Sequence, residues 1–310
     1  MKSIRIESVN LSEAKGTVKK PVETIQLTQR GVEGDAHAGP WNRQVSLLGT
    51  ESITKFEESA GRKIASGEFA ENITTTGMEL WKSHPLDRFT CGEIELEVTQ
   101  IGKECHGTSC AIFKEVGNCV MPKEGIFARV LSHGTLKAGD ELEYHPKMFR
   151  ILVITLSDRA TAGEYDDRSG PRIRELLKIY FDEHGMNHFT HASLIPDDPH
   201  RLEELLHKAK EELVDLVFTT GGTGIGPRDF TPDVVRPMLD KEIPGIMEMV
   251  RMKYGAEKPN ALLSRSIAGV MGKSLVFTLP GSVKAINEYM TEILPSLMHM
   301  IYMLHGLDTH

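Results

Sequence analysis

The chain has 310 residues, of which 40% are hydrophobic and 26% charged, so it exceeds one typical core and predicts two domains. Its formal charge is -8 and no basic run stands out, which argues against a nucleic-acid surface and favours a small-molecule partner. No stretch approaches the roughly 18 consecutive apolar residues of a membrane span, so we expect a soluble protein.

The first nine residues alternate polar with apolar side chains, as a first strand does, and lack the apolar core of a signal peptide. We therefore expect a cytoplasmic location and reduced thiols. The four cysteines all lie in the first half: Cys91, Cys105, Cys110 and Cys119.

Short apolar or alternating runs, such as residues 45–48 and 93–98, are separated by glycine-rich turns and predict a compact, mainly β fold for the first half. Residues 51–60 carry apolar side chains at helical spacing, which predicts a short helix. Residues 139–144 resemble a closing turn and strand, and Pro146 does not suit a central strand. We therefore predict a first domain over 1–146 and a second over 149–310.

Residues 151–156 form a continuous apolar run, which is typical of a strand buried on both faces of a parallel sheet. Strand and helix patterns then alternate, with Asp198 as an N-cap and Pro199 in the first helical position. The predicted elements are a helix over 171–182, a strand over 192–195, a helix over 199–212, a strand over 214–219, a helix beginning near Thr231, a strand over 274–279 and a terminal helix. This order predicts a doubly wound, three-layer α/β fold with a mostly parallel sheet.

A glycine loop over 217–229 directly follows a predicted buried strand, where open α/β sheets bind their ligands. Its glycines would let backbone N–H groups approach an anion, and a helix beginning at Thr231 would add positive dipole character. The loop lacks the P-loop lysine and the Gly-x-Gly-x-x-Gly spacing, which weakens kinase and dehydrogenase interpretations. The alternative is a tight structural turn.

Three aspartates follow predicted strands or their loops: Asp158, Asp197 and Asp229. One cleft would hold all three, and carboxylates facing a polyphosphate need a cation such as Mg²⁺ between them. Any one of them taken alone fits a turn or a cap equally well.

Ordered motifs over roughly residues 149–300 resemble the molybdopterin adenylyltransferases, a family that includes the G domain of gephyrin-like proteins. The motifs lie at 157–160, 167–171, 194–197, 219–233, 244–245, 263–265 and 279–282. The resemblance implies that the phosphate of molybdopterin attacks the α-phosphate of ATP and releases pyrophosphate. It also implies a homo-oligomer such as a trimer, and hand-over to a molybdenum-insertion protein or a molybdoenzyme. The apolar helix over 293–304 would face either a neighbouring subunit or the domain's own core.

By position in these motifs, Asp197 and Asp229 match the family's catalytic acids and would hold Mg²⁺. The residues expected to bind the pterin or the nucleotide are Ser157, Asp158, Ser169, Gly170, Thr220, Gly221, Gly222, Thr223, Gly224, Pro280, Gly281 and Ser282.

Cys105 lies beside Lys103 and His106, whose positive charge would favour its thiolate. A structural zinc site is disfavoured, because Cys105 and Cys110 have no second cysteine pair. Cys91 and Cys119 fit small buried hydrophobes.

Residues 4–144 resemble the MOSC family, named for the C-terminal domain of molybdenum cofactor sulfurases, through motifs at 31–39, 44–48, 67–72 and 125–130. That resemblance implies a mainly β, barrel-like domain that binds the molybdenum cofactor or carries sulfur to it. Cys105 would be the carrier or ligand and Arg129 a phosphate contact, while His37 fits a turn equally well.

Three functions stay open at this point. The leading one is an adenylyltransferase joined to a cofactor-handling domain. The second is a carrier that binds finished cofactor without catalysis, and the third is a regulatory or nicotinamide-cofactor-related relative of the same fold.

Overall fold

The computed structural model describes residues 2–103 and 119–307. The chain divides into two compact units, Met1–Lys147 and Met148–His310. Within the described ranges, no helix combines the length and the apolar character needed to cross a membrane.

The first unit is built of short strands with little helix. Its strands are β1 (Lys2–Leu11), β2 (Lys20–Val22), β3 (Thr24–Thr28), β4 (Gly31–Val32), β5 (Val45–Gly49), β6 (Ile73–Thr76), β7 (Arg88–Cys91), β8 (Ile94–Ile101), β9 (Ile126–Ser132), β10 (Gly134–Lys137) and β11 (Glu141–His145). Its described helices are α1 (Thr50–Ala60), α2 (Met121–Glu124) and a 3-10 turn (Leu80–Lys82).

Eight of these strands form one sheet in the order β11-β7-β8-β9-β5-β6-β1-β2, and β1 also pairs with β11. That extra pairing closes the sheet into a barrel, which confirms the predicted barrel-like fold. Strands β10, β3 and β4 form a small second sheet. The predicted helix appears as α1, which buries Ile53 and Phe56 and ends at Gly61 with φ +68°.

The second unit alternates strands with helices. Its strands are β12 (Met148–Leu156), β13 (Asn187–Ile195), β14 (Leu216–Thr220), β15 (Lys241–Glu242), β16 (Ala268–Met271) and β17 (Ser274–Leu279). Its helices are α3 (Asp158–Thr161), α4 (Ser169–Glu183), α5 (Pro199–Glu211), α6 (Thr231–Val235), α7 (Pro244–Glu257) and α8 (Val283–Leu304), with 3-10 turns at Arg236–Met238 and Pro259–Leu263.

The sheet of the second unit has the order β13-β12-β14-β17-β16-β15. Its first four strands are parallel, and β16 and β15 add an antiparallel edge. The predicted α/β class is therefore confirmed. The carboxyl ends of the central strands are in register, since Thr220 pairs with both Thr155 and Leu279, and the loops that follow them meet at one edge.

One predicted strand is longer in the structure, and one predicted helix is short. The strand predicted over 192–195 begins at Asn187, because β13 is an edge strand whose mixed polar side chains conceal its length. Thr231 is the first residue of α6, which has only five residues, and the Thr231 amide donates to the Gly222 carbonyl at 3.0 Å. The predicted start of this helix near Thr231 is thus confirmed, and its dipole contribution stays a prediction.

The terminal helix α8 buries Ile293, Leu297 and Ile301 within its own unit. Of the two alternatives for its apolar face, the core is thus the one observed.

Candidate active site

The glycine loop begins where β14 ends and touches two neighbouring loops. Gly221 has φ +106°, and a Cβ there would lie 2.4 Å from the Leu156 carbonyl oxygen, so only glycine fits. Its amide donates to the Leu279 carbonyl at 3.0 Å. A Cβ on Gly281 would lie 3.6 Å from the Gly221 Cα. The loops after β12, β14 and β17 therefore form one packed edge.

Three consecutive amides of the loop are left for a ligand. Within residues 2–103 and 119–307, nothing accepts a hydrogen bond from the N–H groups of Gly222, Thr223 or Gly224. Gly222 also has φ +63°, a left-handed conformation. Successive unpaired N–H groups in such a turn form a concave surface that suits an anion.

Asp158 and Asp197 are tied to each other across the ends of β12 and β13. The Asp197 amide donates to the Asp158 carboxylate at 2.8 Å, and the Asp158 amide donates to the Asp197 carboxylate at 3.3 Å. The Arg228 guanidinium forms an ion pair with Asp158 and lies 3.7 Å from Asp197 Oδ2. The predicted gathering of acids at one edge is thus present, together with a cation that the sequence did not indicate.

Asp229 completes the cluster from the glycine loop. Its Oδ2 accepts a hydrogen bond from the Gly226 amide at 2.8 Å. A Cβ on Gly224 would lie 2.6 Å from the same oxygen, so the loop wraps closely around this carboxylate. Burial raises the pKa of Asp197, and the negative charge of Asp229 raises it further, which places the two acids within electrostatic reach.

Arg265 ties the loop together, a role that sequence reasoning missed. Its guanidinium donates to the Gly224 carbonyl at 2.7 Å, to the Asp229 carbonyl and to the Asp233 carboxylate at 2.8 Å. Its amide donates to the Thr223 carbonyl at 2.8 Å. Four contacts from one residue hold the loop in shape. The signal available in the sequence was an arginine in a quoted motif, but its partners lie more than 30 positions away.

Other predicted binding residues use their side chains within the fold. Ser157 caps α3 through the Ala160 amide at 3.2 Å, and Ser282 caps α8 through the Ala285 amide at 3.2 Å. Thr220 donates to the Pro280 carbonyl at 3.0 Å. All three lie at the ligand edge of the sheet, and their contact with a ligand stays a prediction.

Ser169 and Gly170 organise the loop that precedes α4. The Ser169 hydroxyl donates to Asp167 at 2.8 Å, and a Cβ on Gly170 would lie 2.4 Å from Thr155 Oγ1. They thereby bring Asp167 against the end of β12, since Thr155 also donates to Asp167 at 2.8 Å. Their role in binding stays a prediction as well.

A magnesium ion fits the cluster only as an ion shared with a substrate. Among the described residues, no three acidic, histidine or cysteine side chains converge as a preassembled metal site. Asp197 and Asp229 offer two carboxylates, and Mg²⁺ commonly takes one or two from the protein and its remaining ligands from water and phosphates. The donors present therefore match a cation that arrives with a nucleotide.

The first unit contains a buried polar cluster of Lys19, Asp35, Glu71 and Asn72. Lys19 and Asp35 form an ion pair whose side chains are 1% and 0% exposed. Asn72 donates to Asp35 at 3.0 Å. Burial lowers the pKa of Lys19 and raises that of Glu71. For Asp35 burial acts in the same sense as for Glu71, but hydrogen bonds from His37 and Lys19 outweigh it and hold its pKa well below the ordinary value.

Of the residues predicted to act in the first unit, Cys105 lies outside the described residues. Arg129 pairs with Glu97, with its Nη2 2.6 Å from the carboxylate, so its charge is balanced within the protein. His37 is 44% exposed beside buried Asp35. Roles for Arg129 and His37 in ligand binding stay predictions.

Comparison with known proteins gives matches to two families. The family described as a probable molybdopterin binding domain matches residues 152–299, and the MOSC domain matches residues 34–143. The chain is similar to a molybdopterin adenylyltransferase from Helicobacter pylori, with 37% identity over 158 residues that cover 50% of this chain and 88% of the relative.

Two further relatives give the same picture. A molybdenum cofactor biosynthesis protein B from Bacillus cereus is 40% identical over 164 residues, covering 52% of this chain and 93% of that protein. Gephyrin from Dictyostelium discoideum is 36% identical over 160 residues, covering 50% of this chain. The chain spans only 22% of the length of that gephyrin.

Proposed function

Because this chain belongs to the family of molybdopterin-binding domains that includes the molybdopterin adenylyltransferases, we propose that its second unit transfers the adenylyl group of ATP to molybdopterin. One observation carries this proposal. Three amides without an acceptor, at 222–224, and the carboxylates of Asp197 and Asp229 occur together in the loops at one edge of the sheet. Such an arrangement suits a reaction between two phosphates.

In the proposed reaction, a phosphate oxygen of molybdopterin attacks the α-phosphorus of ATP. The bond from that phosphorus to the oxygen leading to the β-phosphate breaks, and pyrophosphate leaves. The three loop amides would donate to phosphate oxygens and orient them. Asp197 and Asp229 would hold Mg²⁺, which when bound neutralises phosphate charge. The protein's part is positioning, since phosphoryl chemistry needs little covalent help.

The test is pyrophosphate release from ATP, Mg²⁺ and molybdopterin by the full chain. We expect Asp229→Asn to abolish turnover, because it removes a carboxylate that holds the cation. Asp182→Asn is the matched control, since Asp182 is an exposed acid paired with Lys178 on α4. Full activity in Asp229→Asn would refute the catalytic assignment. Tight molybdopterin binding by the unmodified protein without pyrophosphate release would select the carrier function instead.

For the first unit we propose that it binds the molybdenum cofactor or carries sulfur to it, supported by the MOSC match. Cys105→Ala should remove sulfur or molybdenum loading, measured by elemental analysis of purified protein, and leave adenylylation intact. Unchanged loading would assign Cys105 to packing. We further propose a homo-oligomer, such as a trimer, and delivery of product to a molybdenum-insertion protein or a molybdoenzyme.

A further inference from the structure

Arg228 places a guanidinium where a metal cation would be expected. It forms an ion pair with Asp158 and lies 3.7 Å from Asp197 Oδ2. Asp229, the next residue, holds its carboxylate against the backbone of Gly224 and Gly226, and its negative charge acts on Asp197. Three acids and one arginine give this group of side chains a net negative charge, and the arginine is its most exposed member in the ion pairs.

The ion pair between Arg228 and Asp158 is exposed to solvent, so another partner can reach the guanidinium. Its side chain is 64% exposed and that of Asp158 is 36% exposed. Ion pairs in contact with water contribute little net free energy, so a stronger partner displaces them readily. Arg265 differs, since it is held by two backbone carbonyls as well as a carboxylate.

A polyphosphate entering the loop would offer Arg228 such a partner. A guanidinium binds phosphate oxygens through two parallel hydrogen bonds, which are stronger than a single contact to a carboxylate. The loop amides at 222–224 and the Arg228 side chain belong to one loop. A phosphate on those amides would thus be held by the same loop that carries the arginine.

We propose that Arg228 exchanges partners during binding. Without nucleotide it neutralises Asp158 and Asp197. When the phosphates of ATP enter the loop, the guanidinium moves onto their oxygens and leaves Asp197 free to hold the divalent cation together with Asp229. This inference rests on the proposed function, because ATP is the polyphosphate in question. It assigns Arg228 as a phosphate-binding residue and as a counter-ion that keeps the empty site from attracting metal.

If Arg228 exchanges partners, Arg228→Gln should bind Mn²⁺ more tightly and ATP more weakly than the unmodified protein. With Mn²⁺ alone as the probe, electron paramagnetic resonance of free Mn²⁺ should show binding to the full chain tighter by roughly five- to tenfold, because a competing charge is gone. With saturating Mn²⁺, ATP should bind about tenfold more weakly by calorimetry, because a charge-assisted hydrogen bond is lost. Arg228→Lys keeps the positive charge but loses the paired N–H donors of the guanidinium. Its affinities for Mn²⁺ and ATP should therefore fall between those of the unmodified protein and of Arg228→Gln.

Arg236→Gln is the control for net charge, since Arg236 is 55% exposed and pairs with Glu242 away from the loop. It should leave both affinities unchanged. Unchanged or weaker Mn²⁺ binding in Arg228→Gln would show that the arginine does not occupy the cation's place. Unchanged ATP binding would show that it does not reach the phosphates. If both shifts appear but the unmodified protein releases no pyrophosphate with molybdopterin, the exchange stands and the proposed function fails.

Discussion

The two units each contain a cation paired with aspartate, in opposite settings. In the first, Lys19 and Asp35 are sealed, with side chains 1% and 0% exposed. In the second, Arg228 and Asp158 are open, at 64% and 36%. A sealed pair cannot exchange its partner without opening the fold, whereas an open pair can meet a ligand. Solvent access therefore decides which of these two pairs can exchange its partner without opening the fold.

The pKa values of two aspartates follow the same division. Hydrogen bonds to the charged form keep the pKa of Asp35 low despite its burial, so its ionised state stabilises the fold. Asp197 has a raised pKa, from burial and then from the charge of Asp229, so its ionised state is held at a cost. The cation that the folded chain offers this carboxylate is Arg228, 3.7 Å away and 64% exposed, so Asp197 stays accessible to a cation from solution.

The largest loss of stability should come from removing the lysine of the buried pair. Lys19→Met leaves the charge of Asp35 buried without its lysine partner, and we expect the first unit to lose about 3–5 kcal/mol of unfolding free energy. Both tryptophans, Trp41 and Trp81, lie in that unit, so urea unfolding followed by tryptophan fluorescence reports on it.

The control for this change is Lys63→Met. Lys63 pairs with Glu57 but its side chain is 91% exposed, so its removal should leave the midpoint unchanged. If Lys19→Met cost no more than Lys63→Met, the contrast between sealed and open pairs would lose its energetic basis.

A smaller effect on stability, with a larger one on turnover, should follow from Arg265→Lys. An ammonium cannot reach the Gly224 and Asp229 carbonyls together, so the loop should lose about 1–2 kcal/mol and pyrophosphate release should fall roughly tenfold to a hundredfold. The control is Arg150→Lys, which loosens an arginine on the Glu212 carbonyl and carboxylate away from the loop. Equal loss of turnover in both variants would mean that the contacts of Arg265 with the loop carbonyls are not needed for turnover.

The smallest expected effect on stability is a gain, whereas the changes above are losses. Asp197→Asn removes a carboxylate whose pKa in the folded state is raised above the ordinary 3.8. Ionisation of that group costs stability above the folded pKa, so the variant should unfold about 1–2 °C higher at pH 7. The gain should shrink as pH falls toward 3.8, where the native group is also neutral.

Asp35→Asn serves as its counterpart in the first unit. The folded pKa of Asp35 is lowered, so its contribution is present above the ordinary pKa and is lost only as pH falls through the lowered value. This variant should therefore unfold at lower temperature at pH 7. Scanning calorimetry from pH 7 to pH 4 compares the two, and the same sign in both would contradict the directions of their pKa shifts.

Sequence patterns predicted the elements whose surroundings are uniform. Residues 151–156 are buried on both faces, so an unbroken apolar run marks β12. β13 has no such run because it lies at the edge of its sheet, with Phe189 and Leu194 exposed among polar residues. The antiparallel edge strands β15 and β16 were missed because they have only two and four residues.

For the site, acids at strand ends could be predicted because parallel strands bring their carboxyl ends together. Arg228 and Arg265 could not, since their positions depend on which carbonyls and carboxylates the folded loop turns toward them. The Lys19 and Asp35 pair escaped for the same reason, because 16 residues of chain separate its members and neither has a local pattern.

The backbone of the glycine loop has a consequence for isotope exchange. The Gly221 amide is locked onto the Leu279 carbonyl at 3.0 Å, whereas the next three amides have no acceptor among the described residues. In deuterated water, protection should therefore change abruptly between neighbouring positions, with slow labelling at Gly221 and fast labelling from Gly222 to Gly224. Deuterium labelling at those three amides therefore reports ligand binding directly, since any ligand that accepts their hydrogen bonds would slow it.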